Sequence, residues 1–145
     1  MTEKNDRSIL LHVEIDHLTV PVSDYDAAKR FYVRALQPLG YGVLMDWPDA
    51  CRVFLGSLRK PSSLWISVSD AAGALEVSLL APGPDAVEAF HAAAVAAGAT
   101  TVHEPGVRRE HSRDYYAARV VDPDGNSIEA VYRGDSTLAR LSAAA

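Results

Sequence analysis

Two rhythms of apolar positions alternate along this chain. Leu18, Val20 and Val22 recur with period two, as do Val77, Leu79 and Ala81, which is the pattern of a strand with one buried face. Each run leads into a segment of helical period: Ala27, Ala28, Phe31 and Ala35 in the first, and Val87, Phe90, Ala94 and Ala97 in the second. Ser23 or Asp24 is placed to cap the first helix, and Pro38 with Gly40 ends it. In the second, Asp85 followed three residues later by Glu88 reads as a capping-box-like start, and Gly98 stops the run. Short alternating segments then follow each helix: 42–47, 51–56 and 64–69 in the first half, and 100–103, 115–121 and 127–132 in the second. The last two are joined by "DPDGN", Asp122 to Asn126, with Pro early in the turn and Gly where positive φ is needed.

The halves are copies of one another. Shifted by 59 positions, His17-Leu18-Thr19-Val20 falls on Glu76-Val77-Ser78-Leu79, Asp26-Ala27 on Asp85-Ala86, Phe31 on Phe90 and Ala35 on Ala94. The predicted class is therefore α+β, two tandem βαβββ modules forming a cupped mixed sheet. The 145 residues suit one such domain over 13–133, with modules at 13–70 and 74–133, an N-terminal extension at 1–12 and a tail at 134–145.

Alternation also sorts the polar residues. His17 and Glu76 fall on the strand face turned away from the helices, and Glu129 does so in the last strand, sharing parity with Ser127 and Val131. If each sheet curls so that the two make a cup, the repeat makes convergence of His17 and Glu76 a geometric expectation; adding Glu129 requires the particular fold. The plainer reading is that a strand-start His is a satisfied surface or core group and that Glu on an alternating strand faces water.

Net charge of −5, with the only basic cluster at Arg108, Arg109 and Arg113, argues against a nucleic-acid surface. The single Cys51 cannot form an internal disulfide, and the opening residues carry no apolar run long enough for a signal peptide or membrane span. A cytoplasmic protein is expected.

These residues resemble the vicinal oxygen chelate superfamily, which includes glyoxalase I, methylmalonyl-CoA epimerase, extradiol dioxygenases, and the fosfomycin and bleomycin resistance proteins. The resemblance runs from about Val13 to Tyr132, through "DHLTVPVSDYDAAKRFY", "DAVEAFHAAAVAAGA" and "YYAARVVDPDGNSIEAVY", and is nearest to small bacterial glyoxalase-like proteins. It implies a divalent-metal site with ligands from the first and last strands of each module: His17, the strand 64–69, Glu76 and Glu129. Relatives usually carry His where this chain has Glu76. The strand 64–69 offers only Trp65 and Ser67 on one face, and an offset of 62 makes Ser67 the counterpart of Glu129. One imidazole and two carboxylates suit Mn²⁺, Fe²⁺, Mg²⁺ or Ni²⁺ better than a closed tetrahedral Zn²⁺. Such an ion would chelate adjacent substrate oxygens, leaving Glu76 or Glu129 as the catalytic base.

Further candidates surround this set. Tyr115 and Tyr116 point to opposite faces, so one lines the cup as a substrate hydrogen-bond partner or both serve as packing residues. Arg119 in the same strand holds an anionic substrate or pairs with a carboxylate. Arg108 and His111 fall in a loop, a lid or a solvated turn; His91 reads as structural, His12 and His103 receive no role, and Trp47 and Trp65 close the cup mouth or fill core. Two functions follow: a metal-dependent isomerase, lyase or oxygenase acting on a small oxygen-rich substrate, or a metal-free protein that sequesters a small molecule, as bleomycin-resistance relatives do. The expected assembly is a homodimer.

Overall fold

A computed structural model describes residues 15–58 and 60–134, with the side chains of 60–62 undescribed. The extension at 1–12 with His12, and the tail beyond Gly134, lie outside these residues. The chain runs β1 (His17–Val22), α1 (Tyr25–Leu36), β2 (Gly42–Trp47), β3 (Arg52–Ser57), β4 (Lys60–Val68), β5 (Glu76–Leu80), α2 (Pro84–Ala96), β6 (Thr100–Val107), β7 (Tyr115–Val121) and β8 (Ser127–Arg133). This is βαβββ twice. Sheet A has the order β1-β4-β3-β2 and sheet B the order β5-β8-β7-β6. In each, the first strand lies parallel to the last and the other pairs are antiparallel.

Most of the alternating apolar residues join one main core. Val20, Val22, Leu64 and Ile66 of sheet A and Val77, Leu79, Val120 and Ile128 of sheet B join Phe31, Tyr32, Leu36, Val87, Phe90 and Ala94 of the helices. The two helices pack against one another. Burying a side chain such as Phe31 or Phe90 contributes roughly 1.5–3 kcal/mol, so the helices are held by their apolar faces more than by propensity.

Asp24 caps α1, accepting a hydrogen bond from the Ala27 amide at 2.7 Å. Ala27 itself stays exposed, and Tyr32 and Leu36 complete the buried stripe instead. The capping box expected at Asp85 and Glu88 does not form. Gly83 occupies the cap position with no side-chain hydrogen bond, Pro84 opens the helix, and Glu88 accepts from the Tyr116 hydroxyl. Proline suits the first turn, where its missing N–H has no partner to lose.

The "DPDGN" turn proves to be a clamp between modules. Asp122 is buried; one of its oxygens accepts from the amides of Asp124 and Asn126, and the other accepts from the Tyr32 hydroxyl of α1 at 2.5 Å. Asn126 donates to the Pro21 carbonyl at 2.8 Å and accepts from the Leu75 amide at 3.1 Å, while Asp124 accepts from the Ser23 amide and hydroxyl. Gly73, at φ +84°, lies so close that a Cβ there would overlap the Asp124 carbonyl oxygen. A glycine is therefore required.

Candidate functional site

On sheet B, the face away from the helices gathers most of the candidate polar residues. Strand register sets Ser78 of β5 beside Glu129 of β8, and Glu129 beside Arg119 of β7. Arg119 donates to Glu76 at 2.6 Å and to Glu129 at 3.3 Å. The other Glu129 oxygen accepts from the Tyr115 hydroxyl at 2.5 Å and the Ser78 hydroxyl at 2.7 Å. Glu129 is only 3% exposed, and Tyr115, Ala117 and Val131 form a small second core beside it. His111, from the β6–β7 connection, lies 4.7 Å from the Tyr115 ring, and the Arg133 guanidinium lies 5.0 Å over it.

Electrostatics follow from these contacts. Burial works against ionisation of Glu129, but hydrogen bonds from Tyr115 and Ser78, together with the Arg119 charge, outweigh it and hold the carboxyl below its ordinary range. A carboxylate so well supplied with donors is a weak proton acceptor. Tyr115 moves the other way: burial, then its bond to Glu129, pushes the phenol up, so it remains a donor. Arg119 keeps its charge because its two carboxylates offset its own desolvation. Its Nε is buried and has no hydrogen-bond partner among the described residues.

Sheet A carries a different set on its corresponding face. Trp47 and Trp65 stack with centroids 5.1 Å apart and planes at 20°, and Phe54 lies 4.6 Å from Trp65. Arg52 lies 5.3 Å over the Trp65 ring and donates to Ser67. His17 meets Trp65 edge-on, with centroids 6.4 Å apart, and its Nδ1 lies 2.7 Å from Asp16.

The observed register revises one correspondence between modules. Ser63 stands opposite His17 and Ser127 opposite Glu76; two residues further along each last strand come Trp65 and Glu129. Trp65, rather than Ser67, is thus the counterpart of Glu129. Across the next strand pair, Phe54 opposite Trp65 matches Arg119 opposite Glu129. An ion pair in one module is replaced by an aromatic pair in the other.

Of the sequence candidates, the structure brings together Glu76, Glu129, Arg119 and Tyr115, and leaves His17 on the other sheet. Among the described residues no three of His, Cys, Asp and Glu lie grouped to hold a metal ion. The donor set of sheet B does not fit one either: a guanidinium already bridges the two carboxylates, and both Glu129 oxygens are engaged. Tyr116 points to the helix side and bonds Glu88 at 2.8 Å. His91 contacts the Thr101 hydroxyl at 2.9 Å, and His103 is exposed on β6. Sequence reasoning passed over Ser78, although it shares Glu76's parity, and passed over Phe54 and Arg52, whose alternation in "RVFLG" was visible but whose neighbours were not. A mostly apolar cleft of about 240 Å³ lies between β1 and β5, lined by Leu18, Leu39, Leu64, Val77 and Leu79 with Ser63 and Ser78 among others.

Residues 14–130 match the Glyoxalase/Bleomycin resistance protein/Dioxygenase superfamily. The chain belongs to that superfamily. A glyoxalase/bleomycin resistance protein from Albidiferax ferrireducens T118 is 31% identical, covering 82% of this chain and 98% of that one, with a TM-score of 0.68. Two further solved structures show the same fold. TnmS3, an antibiotic binding protein from Streptomyces sp. CB03234, is 23% identical, covering 84% of this chain and 97% of that one, at a TM-score of 0.63. A glyoxalase-related enzyme from Fulvimarina pelagi is 17% identical, covering 83% and 88%, at 0.65. No curated protein matches. Among the described residues no helix is long and apolar enough to cross a membrane.

Proposed function

We propose that this superfamily member is a metal-independent small-molecule binding protein. One observation carries the reading: the Arg119 guanidinium sits between Glu76 and Glu129, supplying as a fixed side chain the positive charge that a chelated ion would bring. Glu129 then orients Tyr115, Ser78 and Arg119 rather than moving protons, and Arg119, Tyr115 and the exposed Glu76 make the polar half of the ligand site. The likeness of fold to an antibiotic binding protein agrees with this reading.

The working unit is a homodimer. β1 and β5 are each sheet edges, and the cleft between them is mostly apolar, so a second copy that joins these edges would bring the His17 face of one chain opposite the Glu76 face of the other. Cys51 is free and exposed, which suits a reducing cytoplasm. The metal-dependent reading, with lyase, isomerase or dioxygenase chemistry at His17, Glu76 and Glu129, requires both glutamates to leave Arg119.

The test is a thermal-shift screen of small aromatic and oxygen-rich compounds in EDTA, repeated with Mn²⁺ or Ni²⁺. Ligands that stabilise the protein equally in both conditions support the proposal. Stabilisation that appears only with the ion overturns it.

A further inference from the structure

The aromatic face of sheet A stays partly open to solvent. Trp47 is 41% exposed and Met45 beside it 43%, although β2 is an edge strand where polar residues would be cheaper in water. Both tryptophans of the chain, Trp47 and Trp65, stand here, and Phe54 packs on Trp65 from the neighbouring strand. Ser63 and Ser67 flank Trp65 along β4, so small residues border the ring stack.

Charge at the rim identifies the kind of molecule. Arg119 on sheet B is neutralised by two carboxylates, whereas Arg52, lying over Trp65, has among the described residues the Ser67 hydroxyl as its hydrogen-bond partner and no carboxylate. An exposed guanidinium at the edge of stacked rings offers a flat surface for a π-system and a fork for an oxyanion. We propose that Trp47, Phe54 and Trp65, with Arg52 at the rim, form the binding platform for a planar aromatic anion. This rests on the small-molecule reading above and names the class of ligand that site takes.

The probe is 2-naphthoate, titrated in EDTA by calorimetry beside naphthalene-2-methanol and cyclohexanecarboxylate, which lack the charge and the flat ring respectively. Indole N–H signals in NMR report location, because both belong to the platform. 2-Naphthoate should bind and shift both signals, while cyclohexanecarboxylate binds about tenfold more weakly. Trp65→Leu should weaken 2-naphthoate about tenfold or more, and Trp65→Phe should restore most of it. Arg52→Gln should cost 2-naphthoate about tenfold and leave naphthalene-2-methanol within about twofold. Trp47→Leu, altering an exposed ring, keeps the test valid if Trp65→Leu does not fold. Ligands that bind irrespective of Trp47, Trp65 and Arg52 would overturn the platform while sparing the small-molecule reading. Binding that requires added Mn²⁺ or Ni²⁺ would overturn both. Indole shifts that follow protein concentration, without 2-naphthoate binding, would assign the face to a second copy and overturn the platform.

Discussion

Glu129 is the residue on which the polar half of the proposed site turns. It is buried with two hydroxyl donors and one guanidinium, and its carboxyl is held below the ordinary glutamate value of 4.5. A depressed folded-state value stabilises the protein fully above the unfolded value and loses that contribution as pH falls through the folded one. Wild type should therefore lose stability on acidification below about pH 4.5 more steeply than Glu129→Gln, measured by denaturant unfolding across pH. Arg119→Gln should destabilise by about 1–3 kcal/mol at neutral pH, because Glu129 stays buried without its cation; the exposure of Glu76 limits its share. NMR titration of that variant should show Glu129 protonating at higher pH than in wild type. The alternation of the strands put Glu76 and Glu129 on one face and left Arg119 with either an anionic substrate or a carboxylate as its partner, but did not show that one arginine would serve both glutamates. That depends on which residues stand opposite each other across two strand pairs, and period two says nothing about register.

Secondary structure was legible in the sequence wherever periodicity and stop signals agreed. β2 and β7 occupy their expected limits, while β4 and β6 extend beyond theirs into stretches with weaker alternation. The start of α2 misled because an Asp and Glu at capping-box spacing compete with a proline one residue earlier, and the proline set the boundary. "DPDGN" was legible as a turn, yet its larger role, joining β1, α1 and the 69–75 connection, depends on long-range contacts that local pattern does not encode. Tyr32→Phe removes a donor from buried Asp122 and should cost about 1–3 kcal/mol, read from chemical denaturation. Gly73→Ala should destabilise by a similar amount, about 1–3 kcal/mol, through overlap with Asp124 and a strained φ. A neutral Gly73→Ala variant would show that the two modules are not clamped here.

At the scale of the molecule, the internal repeat told most of the architecture: two βαβββ units, two four-stranded sheets and one shared core. The repeat also suggested symmetric chemistry, and there the halves have diverged. One carries Glu129 with Arg119 and the other Trp65 with Phe54 at matching places, so polar and aromatic halves replace two equivalent ligand pairs. The proposed dimer, joining them across two chains, predicts a mass in solution twice that of the 15.6 kDa chain, checked by light scattering. The most direct measurement is calorimetric titration of purified, EDTA-treated protein with Mn²⁺, Ni²⁺ and Zn²⁺, beside Arg119→Ala and a His17→Ala, Glu129→Ala double variant. With the guanidinium holding both carboxylates, wild type should show no stoichiometric binding, and the double variant should match it. Stoichiometric binding by wild type that is lost in the double variant would contradict the account and establish His17 and Glu129 as metal ligands.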